Sequence, residues 1–140
     1  MSDINDRAVI EQLIRTPAAW AVVGLSTNRS RAAYRVAAYL QGIGKTIVPV
    51  HPKAETVHEA TGYATLAEIP GDIAVDVVDV FVNADLAGAV VDEAIARGAK
   101  AVWMQLGVID DAAAQRALDA GLDVVMDRCP AIEGPRILGS

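Results

Sequence analysis

At 140 residues the chain is the length of one domain, enough to enclose a real core. Its 53 % hydrophobic and 21 % charged residues exclude a disordered polymer, and with 4 % aromatics the interior must be built mainly from Ala, Val, Leu and Ile. A net charge of −6 argues against general binding to nucleic acid or anionic membrane surfaces, the lone Cys129 excludes an intrachain disulfide, and no apolar run approaches the ~20 residues of a membrane span.

The opening MSDINDRAVIEQLI reads as an acidic amphipathic helix from Asn5 or Asp6 to Arg15. Ile10, Leu13 and Ile14 form its apolar face, and Pro17 follows its end. It has no apolar core of the signal-peptide kind, so with the single cysteine it sets the expectation of a reducing, cytoplasmic location. Strand and helix patterns then alternate. A first strand at Ala21–Val23 leads to a helix at Ala32–Gln41, and a second strand at Thr46–Val50 is closed by His51 and Pro52. A short extended piece is expected at Gly62–Tyr63, before a turn of helix at Thr65–Glu68. Val75–Val82 reads as a strand and Leu86–Arg97 as a helix stopped by Gly98; Lys100–Gln105 is the next strand, followed by a helix at Asp110–Ala120 that Gly121 ends. Asp123–Met126 is the last strand, and Pro130–Ser140 a short helix or irregular cover.

This alternation means βαβ units. The expected fold is a single domain over residues 1–140, a Rossmann-like three-layer α/β/α sandwich on a parallel sheet, with strand order 3-2-1-4-5-6. Ligands of such sheets bind beyond the carboxyl ends of the strands, where the order reverses. The loop after the first strand (Gly24–Ser30), the end of the second (Pro49–Lys53), the end of the fourth (Phe81–Asp85) and the end of the fifth (Gln105–Gly107) should therefore meet.

The segment WAVVGLSTNRSRAAYRVAAYL, Trp20–Leu40, is the most informative. A buried strand runs through Gly24 into a polar loop and a helix, the arrangement that presents backbone N–H groups to phosphate. Arg29, Arg31 and Arg35 lie within it, a local exception in an acidic protein, although a solvated face with ordinary ion pairs would account for them equally well. The dinucleotide fingerprint is incomplete: Ser26 and Arg29 stand where its second and third glycines belong, and Val50-His51-Pro52-Lys53 supplies no carboxylate for a ribose. Lys53 instead suits an extra ribose phosphate, as in NADP or coenzyme A.

A set of motifs covering nearly the whole chain resembles the small stand-alone CoA-binding proteins (YccU-like), relatives of the CoA-binding domain of the succinyl-CoA synthetase α subunit. The matching pieces are VVGLS at Val22–Ser26, the Arg31–Leu40 helix, VPVHPK at Val48–Lys53, YATLAEIP at Tyr63–Pro70, VDVVDVF at Val75–Phe81, VWMQLGV at Val102–Val108 and MDRCPAIE at Met126–Glu133. The resemblance implies a site for coenzyme A or an acyl-CoA. In it Gly24 and Ser26 line the pyrophosphate, with Arg31 and Tyr34 at the helix start. Pro49, His51 and Lys53 flank the adenosine and its 3′-phosphate, Phe81 and Asn83 close over the nucleotide, and Gln105 and Gly107 face the crevice. The chain departs from the family at Val82, where arginine is usual, and in a shorter segment after Lys53.

No triad, paired crevice carboxylates, Walker lysine or metal-ligand spacing is present, so no catalytic residue and no metal are assigned. The expected role is non-catalytic binding of a small nucleotide ligand, with regulation of a partner or of self-association left open; the alternative is an NADP-dependent oxidoreductase or a remnant of one. Cys129 beside Arg128 reads as a packed thiol ahead of a redox-active one. Asp76 and Asp79 fall on opposite faces of their strand. Both are given structural roles, Asp76 at the strand's entry and Asp79 buried against Arg128 or a backbone group. Trp20 and Trp103 are expected to pack in the core.

Overall fold

The alternation runs through the whole of residues 3–139, the part of the chain that the computed structural model describes. In order, the elements are α1 (Arg7–Arg15), β1 (Ala19–Val23), α2 (Ala32–Gly42), β2 (Thr46–Val50), a 3-10 turn (Leu66–Glu68), β3 (Val77–Val80), α3 (Ala84–Arg97), β4 (Ala101–Met104), α4 (Asp111–Asp119), β5 (Asp123–Val125) and α5 (Pro130–Leu138). The five strands are all parallel, in the order β2-β1-β3-β4-β5. The class is the expected Rossmann-like one. The tail is a helix, with Ser140 outside the described residues.

The expected third strand shrinks to one contact. Tyr63 makes an isolated parallel bridge to Val50, its N–H donating to Pro49 O at 2.9 Å and its carbonyl accepting from His51 N–H at 3.0 Å. Counted as a strand, it would restore the order 3-2-1-4-5-6. Two features keep the ladder from growing. Val57 and Ala60 close a two-residue turn on themselves, with His58 and Glu59 at φ 51° and 68°. Gly62 then crosses so near Glu55 that a Cβ there would lie 2.0 Å from the Glu55 carbonyl oxygen. The chain doubles back here and cannot run beside β2.

Helices cover both faces of the sheet. On one side, small residues of α3 (Ala87, Val90, Val91, Ala94) and α4 (Ala113, Ala114, Ala117) pack on Val78, Val80, Val102 and Met104. On the other, α1, α2 and α5 pack on Trp20, Val22, Val77 and Trp103. The two tryptophan rings are fully buried, 5.5 Å apart between centroids. Strand residues alternate between these layers, as a parallel sheet buried on both sides requires.

Side chains from distant segments close the element ends. Asp6 caps α1 through Ala8 N–H (2.9 Å), and the buried Lys45 ammonium donates to the Ile14 carbonyl (2.7 Å) and the Thr16 carbonyl at that helix's other end. Asp76 sits at the entry of β3 as expected, its Oδ2 accepting from Ala19 N–H at 2.9 Å. At the end of α3 the Arg97 guanidinium donates to the carbonyls of Leu66, Ile69, Pro70 and Ile73, gathering the crossover between β2 and β3.

Asp79 departs from expectation. It lies at the centre of the sheet, in register with Val22 and Trp103, fully buried, and neither carboxyl oxygen meets Arg128, a backbone group or any other hydrogen-bonding partner among the described residues. Burial pushes its carboxyl well above the ordinary carboxylate range, which favours the neutral form. The Arg128 guanidinium turns instead to the Asp127 carbonyl at 2.9 Å.

Candidate functional site at the carboxyl edge of the sheet

The strand order reverses between β1 and β3, and the loops leaving these strands touch. Gly24 takes φ +105°, donates its N–H to Val50 O at 2.8 Å, and lies so near Phe81 that a Cβ would come within 3.1 Å of the Phe81 Cβ. The Phe81 N–H in turn donates to Val23 O at 2.9 Å. Glycine at 24 thus serves two ends at once, a left-handed turn and close contact between the two loops at the switch point.

From Gly24 to α2 the loop is organised by its own polar side chains. Ser26 Oγ accepts from Asn28 N–H (3.2 Å), Asn28 Oδ1 accepts from Ser30 N–H (3.0 Å) and from Ser30 Oγ (2.6 Å), and the Arg31 N–H donates to Asn28 O (3.2 Å). Arg31 occupies the N-cap of α2 and makes no side-chain capping bond, leaving the positive end of the helix open to an anion. Arg29, Arg31 and Arg35 are all exposed, and none has an ion-pair partner among the described residues. They stand on a solvated face, as the bland account has it, but without the ion pairs it supposed. The Arg29 guanidinium stands 5.9 Å from the centre of the Tyr34 ring.

Two contributors escaped sequence reasoning. Glu55 accepts from Thr27 N–H (3.3 Å) and Thr27 Oγ1 (2.9 Å), tying the crossover to the loop after β1. Those two bonds hold its carboxyl below the ordinary range, assisted by the nearby positive charge of Lys53. His58 lies against Tyr34, ring centroids 4.2 Å apart, and its Nε2–H donates to the Tyr34 carbonyl at 2.7 Å. No spacing motif marks either residue; both act through the unusual backbone path of residues 54–62.

The remaining sequence-predicted residues lie on the same edge. Pro49 is buried within β2, and His51 follows its end, its Nδ1 accepting from Lys53 N–H at 3.2 Å. The Lys53 side chain is exposed. Phe81 is half-buried and Asn83 exposed, the latter at the N-cap of α3 without a side-chain capping bond. Past β4, Gln105 is buried with Oε1 unpartnered among the described residues, while Gly107 takes φ +78° and donates its N–H to Asp127 Oδ1 at 2.8 Å. Cys129 is buried at the N-cap of α5 within the core layer, which matches the packed-thiol reading.

Set against known proteins, this arrangement has clear counterparts. Over 126 residues the chain is 33 % identical to the "Uncharacterized protein YneT" of Bacillus subtilis (strain 168), spanning 88 % of this chain and 90 % of that one. The solved structure of a hypothetical protein from Pyrococcus horikoshii OT3 superimposes with a TM-score of 0.89 at 33 % identity, covering 99 % of each chain. A dinucleotide-forming acetyl-coenzyme A synthetase from Ca. Korarchaeum cryptofilum shares the fold at a TM-score of 0.70 and 23 % identity, the match taking 84 % of this chain and 27 % of the synthetase. The family model described as "CoA binding domain" matches residues 18–135, from the start of β1 into α5, and the chain belongs to that family.

Proposed function

We propose that the carboxyl edge of the sheet binds coenzyme A or an acyl-CoA, and that the protein is a binding module rather than a catalyst. The observation that carries this is the loop from Gly24 to Arg31. It packs against Phe81 at the switch point, leads into a helix start without a side-chain cap, and carries or adjoins three arginines with no carboxylate partner among the described residues. Backbone N–H groups and guanidinium charge together suit a pyrophosphate, because charge-assisted bonds are the strongest polar contacts available. Gly24, Ser26 and Arg31 take the pyrophosphate, with Tyr34 beside them. Lys53, beyond β2, takes the 3′-phosphate, with Pro49 and His51 against the adenosine. Phe81 and Asn83 cover the nucleotide. Gln105 and Gly107, past the end of β4, face the pantetheine arm.

Melting temperature followed with CoA, dephospho-CoA and NADP tests the reading. A ligand at 100 times its dissociation constant stabilises by about 2.7 kcal/mol. CoA is expected to raise the melting temperature more than dephospho-CoA or NADP at equal concentration. No shift with CoA, or an equal one with dephospho-CoA, would count against the assignment.

A further inference from the structure

We propose that the groove between α1 and α5 is a second binding site, for a small organic polyanion, separate from the crevice at the sheet edge. The groove encloses about 440 Å³, within the range of small-molecule sites. Ile10 and Ile137 give it apolar surface; Arg7, Arg15, Arg128 and Arg136 line it with positive charge, against only Glu11 and Glu133. Four of the protein's 12 basic residues converge here, in a molecule of net charge −6.

The positive charge is only partly neutralised. Arg15 Nε meets Glu11 Oε1 at 3.1 Å, and its Nη2 donates to Ile137 O at 3.1 Å. Arg136 Nη1 lies 3.6 Å from Glu133 Oε2. Arg128 finds only the Asp127 carbonyl, and Arg7 forms no ion pair or side-chain hydrogen bond among the described residues. Two guanidinium groups from separate segments, one on the first turn of α1 and one between β5 and α5, therefore border a single cavity with no carboxylate partner of their own among the described residues. Guanidinium forks match carboxylate and phosphate oxygens in pairs. Two such forks across a partly apolar cleft suit a compact molecule carrying at least two anionic groups, as a polycarboxylate or a phosphorylated metabolite does.

Isothermal titration with citrate and with glycerol 3-phosphate, in low-salt buffer without CoA, reads the site directly and decides which oxyanion it prefers. Binding of either at millimolar or better affinity is expected, weakened about tenfold in Arg7→Gln and in Arg128→Gln, the loss of one charge-assisted contact. Glu133→Gln removes a carboxylate and is expected to tighten binding, so a merely damaged fold, which would weaken all variants alike, is told apart. Failure of both anions to bind the wild type, or binding unchanged in Arg7→Gln and Arg128→Gln, overturns the proposal. Full displacement of the anion by stoichiometric CoA overturns its separateness. The direct titrations and the variants need no CoA, so the existence of the site stands or falls apart from the CoA assignment, and only its separateness is read with CoA bound.

Discussion

Replacing Asp79 with leucine is expected to stabilise the protein at pH 7, unusually for a substitution in the middle of a buried sheet. The two side chains share one branched heavy-atom skeleton, and the site, between Val22 and Trp103, is apolar on both neighbouring strands. A buried polar group without a partner costs about 1–3 kcal/mol. Keeping the carboxyl neutral adds about 1.4 kcal/mol for every pH unit between its unfolded-state value, about 3.9, and its raised folded value. The folded state holds the extra proton, so this group's contribution is whole below the unfolded-state value and is lost as pH rises. The leucine variant should therefore gain about 2 kcal/mol or more at pH 7, roughly 6 °C in melting temperature for a chain of this size, with the gain shrinking toward pH 4. Asp79→Asn, which keeps the polarity but cannot ionise, should lose the pH slope with a smaller gain. Urea unfolding of the three proteins from pH 4 to 8 makes the measurement. A leucine variant less stable than wild type by about 1 kcal/mol at pH 7, with the acid slope intact, would show that the carboxyl earns its place through a bond formed in solution.

Lys53→Ala should weaken CoA about tenfold and leave dephospho-CoA nearly unchanged, since only the former carries the phosphate that Lys53 is proposed to meet; titration calorimetry with both ligands separates the cases. Lys45→Met should cost about 1–3 kcal/mol in urea unfolding, because it strips the end of α1 of the donor to the Ile14 and Thr16 carbonyls; a change under 0.5 kcal/mol would mean that water replaces the ammonium freely. Glu55 ionises more readily in the folded state, so its tie to Thr27 is present above the ordinary carboxylate value and lost as pH falls through the lowered one. Protection of the Thr27 amide, its exchange rate relative to the intrinsic rate at the same pH, should accordingly fall at acid pH, and in Glu55→Gln it should be low throughout.

Where backbone and pattern obey one simple rule, the sequence was enough. Thr46–Val50 is the strand expected, because an apolar run closed by His51-Pro52 admits little else. The importance of Gly24 was legible for the same reason: a lone glycine between a buried strand and a polar helix start marks a turn that side chains disfavour. Residues 54–62 were not legible. Ala54, His58 and Glu59 adopt positive φ without being glycine, a conformation that local propensity argues against and that contacts such as His58 on Tyr34 maintain. Past them the expected third strand is reduced to the Tyr63 bridge, and Glu55 and His58 went unnoticed as parts of the edge. Asp79 was read as paired because buried carboxylates usually are. Nothing in VDVVDVF reveals that the space around it is filled by tryptophan and valine.

The long crossover from β2 to β3 hangs from two fastenings of different chemistry. Arg97 grips its far half through four carbonyls, and a guanidinium keeps its proton in any solvent a cell provides. Glu55 moors its near half, and a carboxylate does not. Acidification should accordingly peel this strap from one side alone, slackening the loop after β1 while the sheet and its far anchorage stay in place.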